Sequence, residues 1–238
     1  MHKTEPKEVG GATLLDEKLR DILKKEKDEW RTDTWFGRHK EAMRKVGEIL
    51  KELKTSGQKE FVINNFGPGR VKWSGYTTFE TFEIINQAER AGIKPNELKV
   101  YVYDRVLPPL IAVEGTRRIE LSSTELARLG DSRYVDEFFH DRQTGREDGT
   151  IVVEIERKWV DRIKSFHADL GETVALEKAD ISFACLQTDR CGSEVENLVE
   201  STREGGYIAC NSLSEHERRT FKLRCVFERA DHVIYKRD

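Results

Sequence analysis

Two glycines and a carboxylate follow neighbouring apolar runs, where a sheet would bring them together. Gly67 and Gly69 come soon after the run Phe61–Ile63, and Asp104 directly follows the next run, Val100–Tyr103. Glycines after a strand let the backbone take a positive φ and approach a ligand closely. A carboxylate at a strand end can accept hydrogen bonds from both hydroxyls of a ribose. The pattern therefore predicts a ribose-bearing ligand, although a tight turn would explain the glycines equally well.

The spacing differs from the dinucleotide-binding fingerprint GxGxxG. Lys72 replaces the third glycine, and the next helix is not predicted to begin before about Tyr76. Asp104 lies 35 residues beyond Gly69, whereas the fingerprint places its acid about 20 residues on. A standard NAD site is therefore not predicted, and a nucleotide-dependent enzyme of another type is kept as an alternative.

From residue 60 onward, apolar runs of strand length alternate with helical stretches. This alternation predicts an α/β domain with a mainly parallel sheet. The predicted strands and the helices after them are Phe61–Ile63 with Tyr76–Ala91, Val100–Tyr103 with a mixed segment, Ile151–Ile155 with Ile163–Ala168, Ile181–Leu186 with Val195–Ser201, and a last strand Tyr207–Cys210. Phe221–Phe227 and Val233–Tyr235 flank a short turn, which predicts an antiparallel hairpin at the C-terminal end of the sheet.

Residues 1–57 are predicted to form a helical region before this domain. Apolar residues recur at helical spacing over Leu15–Leu23 and over Phe36–Leu53, and Thr55-Ser56-Gly57 ends the second helix. We therefore predict a helical cap over residues 1–57 and a ligand-binding domain over residues 58–238. The predicted fold class is α/β: a Rossmann-like, mostly parallel sheet with a C-terminal antiparallel hairpin and an N-terminal helical cap.

Composition limits the kinds of partner. Charged residues make up 36% of the 238 residues, but the net charge is only −3, whereas a nucleic-acid binder usually carries a basic surplus. The sequence shows neither an apolar run of about 18 residues nor a signal peptide, so we expect a cytoplasmic protein without a membrane span. The four cysteines lack zinc-ligand spacing, so no metal is predicted. The oligomeric state is left open.

Seven segments occur in the order in which a known enzyme family carries its motifs. The segments are Thr34–Arg38, Phe66–Glu80, Val102–Asp104, Arg133–Val135 with Val152–Arg162, Ser165–Leu170, Ala179–Phe183, and Gly205–Ile208 with Ser212–Glu215. Over roughly residues 30–238 the chain thus resembles the class I S-adenosylmethionine-dependent methyltransferases, most of all the chemotaxis protein-glutamate methyltransferases. The resemblance implies a Rossmann-like fold, S-adenosyl-L-methionine as cofactor, and methyl transfer to an acceptor.

The resemblance also implies a set of cofactor-binding residues. They are Arg38, Gly67, Gly69, Ser74, Glu80, Asp104, Asp169 and Leu170. Gly67 and Gly69 would line the methionine portion, and Arg38 would face its carboxylate, which suits a guanidinium. Asp104 would hold the ribose hydroxyls, and Asp169 would accept from the exocyclic amine of adenine. From the residues alone, Arg38 could equally be an exposed helix-face cation, and Asp169 a helix or turn cap.

One segment departs from the chemotaxis enzymes. In those enzymes the fourth strand is followed by Cys-Arg-Asn, whereas Phe183–Arg190 reads FACLQTDR and lacks the Arg and Asn at those positions. The departure leaves the cofactor segments untouched but argues against a receptor glutamate as the acceptor. Two hypotheses follow. The protein is a methyltransferase whose acceptor is a small molecule or a protein side chain, or it is a catalytically silent module that binds S-adenosylmethionine for sensing or scaffolding.

No catalytic residue is assigned from the sequence. A carboxylate acceptor needs no base, whereas a hydroxyl or an amine does. The candidates near the acceptor are Tyr76, Glu80, His140, Cys185 and Gln187. His140 is flanked by aromatic residues, so packing explains it more simply than catalysis.

Overall fold

The structure is a computed structural model that describes residues 6–8, 33–34, 37–67, 70–71, 79–104, 118–139, 143–145, 149–154, 156–184, 192–229 and 232–238. Some predicted features lie outside these ranges. They are the helix over Leu15–Leu23 and the candidate residues Gly69, Ser74, Tyr76, His140, Cys185 and Gln187.

The described residues form strands and helices that alternate through most of the chain. The strands are β1 (Lys7–Glu8), β2 (Asp33–Thr34), β3 (Phe61–Phe66), β4 (Arg70–Val71), β5 (Leu98–Asp104), β6 (Arg118–Leu121), β7 (Gln143–Gly145), β8 (Ile151–Glu154), β9 (Ile163–His167), β10 (Ala179–Ala184), β11 (Thr202–Cys210), β12 (Leu223–Arg229) and β13 (His232–Arg237). The α-helices are α1 (Lys40–Thr55), α2 (Phe79–Arg90), α3 (Ser123–Leu129), α4 (Ser132–Phe139), α5 (Arg157–Val160), α6 (Gly192–Glu200) and α7 (Glu215–Thr220).

One sheet of eight strands organises the molecule, in the order β1-β9-β5-β3-β10-β11-β13-β12. The five strands from β9 to β11 are parallel, and β13 and β12 add an antiparallel pair at one edge. The predicted Rossmann-like sheet with a C-terminal antiparallel hairpin is therefore confirmed. Strand order reverses between β3 and β10, and in open α/β sheets ligands bind outside the carboxyl ends of the strands at such a point.

α1 and α2 cover one face of this sheet. Val46, Ile49 and Leu50 of α1 recur at intervals of three and one, which places them on one side of a helix. All three are buried in the same core as Ile63 of β3 and Phe183 of β10. Burying each such side chain contributes roughly 1.5–3 kcal/mol. The amphipathic pattern of α1 thus fixes this helix across the central strands.

The opposite face is packed by α6 and by a row of aromatic rings. The rings of Phe66 and Tyr103 stack with their centroids 4.8 Å apart, and those of Tyr103 and Phe166 with theirs 5.2 Å apart. Leu198 of α6 lies in the same core. The aromatic row links the last residues of β3, β5 and β9, so it holds the carboxyl ends of these strands in register.

Two predictions about the segment between residues 151 and 168 are wrong. The alternation predicts a helix over Ile163–Ala168, but Ile163–His167 is β9, which pairs in parallel with β5. The run Ile151–Ile155, predicted as a strand of the main sheet, contributes β8 to a separate sheet. Apolar runs this short do not distinguish the two periodicities, and pairing with β5 decides the conformation of β9.

An additional unit is inserted between β5 and β9. It consists of α3, α4 and the antiparallel strands β6, β8 and β7, and we call it the inserted unit. Arg44 of α1 donates hydrogen bonds to Asp131 and Glu137 of this unit, each at 3.0 Å. Lys40 Nζ donates to Leu129 O at 2.8 Å. The inserted unit is thereby docked on the first half of α1.

The termini of the described helices agree with the local sequence. α1 ends at Thr55 and is followed by Ser56 and Gly57, as the sequence predicts. α7 begins with a capping box in which the Ser214 side chain accepts from Glu217 N and the Glu217 side chain accepts from Ser214 N. No helix in the described part of the chain is long and apolar enough to cross a membrane.

Candidate functional site

The candidate site lies where the carboxyl ends of the central strands are in register. One row of residues crosses five strands of the sheet. The row is Tyr103, Phe66, Ala184, Cys210 and Val233. All of them belong to the core on the α6 face. Because side chains alternate along a strand, residues one position closer to the edge face α1 and α2 instead.

The next position toward the carboxyl ends is occupied by Asp104 on β5 and by His232 on β13. Gly67, which directly follows β3, lies at the same level. Gly67 N donates a hydrogen bond to Tyr103 O at 2.8 Å, and Ala168 N donates to Asp104 O at 2.9 Å. Asp104 is 9% exposed. The structure therefore brings the predicted ribose acid beside the first glycine of the loop, with the chain after β9 on its other side.

Gly67 has a backbone conformation that favours glycine. Its φ of +64° lies in the left-handed region, which a residue with a Cβ adopts only at a cost. A Cβ built on Gly67 would meet no atom of the described residues within 4 Å. The backbone conformation therefore favours glycine at this position, which directly follows the carboxyl end of β3.

Arg38 and Glu80 bring a cation and a buried carboxyl group to the same edge. Arg38 lies in the turn before α1, and Glu80, with 4% exposure, lies in the first turn of α2. Burial, together with the neighbouring charge of Glu83, raises the pKa of Glu80 to about 8, against the opposing effect of Arg38. A guanidinium can bind the carboxylate of an amino acid, and a neighbouring carboxyl group can bind its ammonium group.

A second buried acid supports the turn that carries Arg38. Glu83 Oε1 accepts hydrogen bonds from Gly37 N at 3.1 Å and from the hydroxyl of Tyr134. Burial raises the pKa of Glu83 to about 8, against the effect of these two donors. Because Tyr134 belongs to α4, the contact also ties the inserted unit to the candidate site.

Two histidines meet at the other end of the same edge. The ring centroids of His39 and His232 are 4.4 Å apart, with the planes inclined at 41°. The ring of Phe183 lies beyond His232, at 6.5 Å between centroids. Burial, together with the charge of Arg38, lowers the pKa of His39 to about 4. His39 is therefore neutral at physiological pH.

Asp169 and Leu170 follow β9, next to the strand end that carries Asp104. Asp169 is exposed, and its Oδ1 accepts a hydrogen bond from Gly171 N at 2.8 Å, which is the turn-capping role that the residue type also allows. Leu170 is half-buried, and its carbonyl accepts from Asn197 Nδ2 at 2.8 Å. Their proposed contact with adenine stays a prediction.

Sequence reasoning missed Glu83, Tyr134 and the histidine pair. The repeat of acids in FETFE, at the start of α2, was an available signal for Glu83, because residues three apart share a helix face. His39 and His232 are 193 positions apart in the sequence, and no local pattern indicates that they meet. Of the predicted residues, the structure brings Arg38, Gly67, Glu80 and Asp104 to one edge.

Metal-binding chemistry has no evident centre in the part of the chain that the structure describes. No three His, Cys, Asp or Glu side chains are grouped there as a ligand set. Cys210 is buried and Cys225 is half-buried.

Several solved methyltransferase structures are similar to this chain at low sequence identity. The precorrin-6y C5,15-methyltransferase from Geobacter metallireducens is 12% identical, with a TM-score of 0.41, covering 88% of this chain and 92% of that one. The N-methyltransferase NodS from Bradyrhizobium japonicum, in complex with S-adenosyl-L-homocysteine, is 10% identical, with a TM-score of 0.39, covering 93% and 99%. A SAM-dependent methyltransferase from Geobacter sulfurreducens, also in complex with S-adenosyl-L-homocysteine, is 14% identical, with a TM-score of 0.35, covering 82% and 55%.

These likenesses are too weak to carry an argument about this chain. No model of a known protein family matches it, and no curated protein matches it. The chain spans about 55% of the length of two of the similar structures, the Geobacter sulfurreducens enzyme and YjhP from E. coli. The fold therefore rests on the strand order of the chain itself, and the chemotaxis-type specificity has no support from the comparisons.

Proposed function

We propose that the protein is an S-adenosylmethionine-dependent methyltransferase. The observation that carries the proposal is the position of Asp104. It is a largely buried carboxylate at the end of β5, beside the left-handed Gly67 after β3 and one strand from the point where strand order reverses. A glycine turn and a sugar-binding acid on adjacent strands suit an adenosine that carries an amino-acid tail.

Each part of the cofactor has candidate partners along this edge. Asp104 would accept hydrogen bonds from the ribose hydroxyls, and Asp169 and Leu170 would contact the adenine. Arg38 would bind the methionine carboxylate, and Glu80 its ammonium group. A buried acid pairs best with a cation that is itself removed from water, so Glu80 would ionise as the ammonium group arrives. Gly69 and Ser74 complete the proposed set.

The chain would contribute mainly by holding two reactants in line. S-adenosylmethionine supplies an electrophilic methyl group on a sulfonium when it is bound. Fixing the sugar and both ends of the amino-acid tail leaves the methyl carbon in one place, and effective positioning of this kind can supply most of the acceleration. The acceptor is a small molecule or a protein side chain in this proposal, and nucleic acid is not favoured at a net charge of −3.

Calorimetric titration tests the cofactor assignment directly. We expect S-adenosylmethionine to bind and NAD not to bind. Asp104→Ala should weaken S-adenosylmethionine binding at least about tenfold, which corresponds to the ~1.4 kcal/mol of a charge-assisted hydrogen bond. Glu228→Ala, an exposed acid on β12, is the matched control and should leave the affinity unchanged. Tight NAD binding without S-adenosylmethionine binding would overturn the proposal.

A second candidate function is a silent module that binds S-adenosylmethionine without transferring its methyl group. The segment after β10 favours it, because Phe183–Arg190 lacks the Arg and Asn of the chemotaxis enzymes that the chain resembles. Methyl-labelled S-adenosylmethionine distinguishes the two candidates when it is offered with fractions of a cell extract. Label transfer that is lost in Asp104→Ala supports the enzyme, whereas binding without any transfer supports the module.

A further inference from the structure

The contact between His39 and His232 is not used by the proposed cofactor site. His39 is 6% exposed and His232 is 2% exposed. The two residues come from distant parts of the chain, and each belongs to an element that other contacts hold in position. His39 directly follows Arg38 in the turn that Glu83 supports, and His232 is the first residue of β13.

The register of the sheet places this pair on the side of the switch point away from Asp104. His232 precedes Val233, which pairs with Cys210 at the carboxyl end of β11. Four strand spacings separate β5 from β13, or roughly 19 Å at about 4.8 Å each. The ribose end of the proposed ligand and the histidine pair therefore lie at opposite ends of one edge.

The pair has the chemistry of a proton acceptor. A neutral imidazole has one nitrogen with a lone pair, and burial together with Arg38 keeps His39 in its neutral form. If the carboxylate of the cofactor neutralises Arg38, the repulsion between the guanidinium and a protonated imidazole is removed. His39 then becomes more basic only when the cofactor is in place.

We propose that His39, backed by His232, takes the proton from the methyl acceptor, and that the acceptor is consequently a hydroxyl or an amine. This inference rests on the proposed methyltransferase function. The acceptor oxygen or nitrogen forms a bond to the methyl carbon while the bond from that carbon to sulfur breaks. The electron pair of the broken bond stays on sulfur, which becomes a neutral thioether, and the acceptor proton passes to His39. A carboxylate acceptor would have no proton to give and no need of the pair.

The charges around the pair set the direction of its pH dependence. Arg38 lies next to His39, Arg229 is in register with His232 on β12, and Glu80 and Glu83 extend from α2 toward the turn before α1. The base must be neutral to act, so the rate should fall as the pH decreases through the pKa of the pair. Neutralisation of Arg38 by the bound cofactor should move that pKa upward.

The test compares histidine variants with a panel of defined acceptors. The probes are a phenol, an aliphatic alcohol, a primary amine and a glutamate-containing peptide, each with methyl-labelled S-adenosylmethionine. We expect transfer to a hydroxyl or amine probe and a loss of about 100-fold in His39→Asn, without the acid limb of the rate profile. His232→Asn should give a smaller loss and a shifted acid limb, as expected of a positioning residue. His216→Asn, an exposed histidine on α7, is the control.

Binding separates failure of this inference from failure of the proposed function. All the variants should bind S-adenosylmethionine with wild-type affinity in a calorimeter, which also shows that they fold. If the wild-type chain does not bind it, the proposed function fails and this inference fails with it. If it binds, transfer only to the glutamate peptide, transfer to no probe, or an unchanged rate and pH profile in His39→Asn overturns the proton-acceptor role alone. A second readout is NMR titration, in which S-adenosyl-L-homocysteine should raise the pKa of His39.

Discussion

Buried acids have different surroundings at the two ends of the parallel strands, which we call the amino edge and the carboxyl edge of the main sheet. At the amino edge, Asp180 Oδ2 accepts a hydrogen bond from Val62 N at 2.8 Å, and the carboxylate pairs with Arg203. At the carboxyl edge, Glu80 and Glu83 lie one turn apart on α2, and burial raises the pKa of both. Asp180 therefore has a backbone donor and a guanidinium as partners, whereas burial opposes the ionisation of Glu80 and Glu83. Groups that are costly to ionise are candidates for a functional site.

Further side-chain hydrogen bonds reinforce the amino edge. Asn64 Nδ2 donates to Glu177 O at 2.9 Å and to Ser201 O at 3.1 Å, and Thr202 Oγ1 donates to Ser182 Oγ at 2.8 Å. These contacts join the middle of β3 and of β10 to the chain around the start of β11.

The largest expected effect is on the amino edge. Asp180→Ala would leave the N–H of Val62 and the charge of Arg203 without their buried partner, so we expect a loss of about 3 kcal/mol in the free energy of unfolding. Urea denaturation measures it. The affinity for S-adenosylmethionine should be unchanged in the folded fraction. A loss of less than about 1 kcal/mol would remove the contrast between the two edges.

At the carboxyl edge, stability should fall as the pH rises. A carboxyl group with a raised pKa holds its proton more tightly in the folded chain. Its stabilising contribution is therefore complete below the unfolded value near 4.5 and is lost as the pH rises through about 8. Each such group contributes at most ~1.4 kcal/mol per pH unit. His39, with its pKa lowered from 6.5, has the opposite effect only below about pH 6.5.

The variant Glu80→Gln measures how much of the pH dependence of the free energy of unfolding comes from Glu80. Between pH 6.5 and 8, we expect the free energy of unfolding to fall less steeply in the variant than in the wild type, because one ionisation is removed. At pH 8 the variant should also bind S-adenosylmethionine more weakly. Glu228→Gln, on the exposed side of β12, should reproduce the wild-type slope. Equal slopes in Glu80→Gln and the wild type would show that Glu80 ionises normally.

The smallest effect compares one glycine from each edge. Gly67 and Gly205 have φ values of +64° and +72°, and a Cβ on either would meet no atom of the described residues within 4 Å. Substitution by Ala should therefore cost about 1 kcal/mol of strain at each position. Only Gly67→Ala should weaken S-adenosylmethionine binding, since its Cβ would enter the ligand edge. Equal affinities in the two variants would place the ligand elsewhere.

The fold was largely predictable because strand and helix periods alternate along most of the chain. The central strands β3, β5 and β10 and the C-terminal hairpin are where their apolar runs predict them. β9 was not predictable, because five residues of mixed character acquire their conformation from pairing with β5. The inserted unit was not predictable either, since its strands pair with one another and not with the main sheet.

The residues of the candidate site also differ in whether local sequence features could predict their positions. The positions of Gly67 and Asp104 were predictable because each lies at the end of a strand, which is a local feature of the sequence, while their contact with a cofactor stays a prediction. Glu83 with Tyr134, and His39 with His232, were not found, because each pair joins elements that are distant in the sequence. Only the register of the sheet and the docking of α4 bring these side chains into contact.

Arg44 determines how the inserted unit could be exchanged. Its guanidinium bonds to Asp131 and Glu137 of that unit and lies 5.4 Å from the ring centroid of Tyr134. A chimaera that received residues 118–154 from another protein would need two acids and a tyrosine in matching places. A graft without them would release the turn before α1 as well as the graft itself. The inserted unit and the turn before α1 therefore form one structural module.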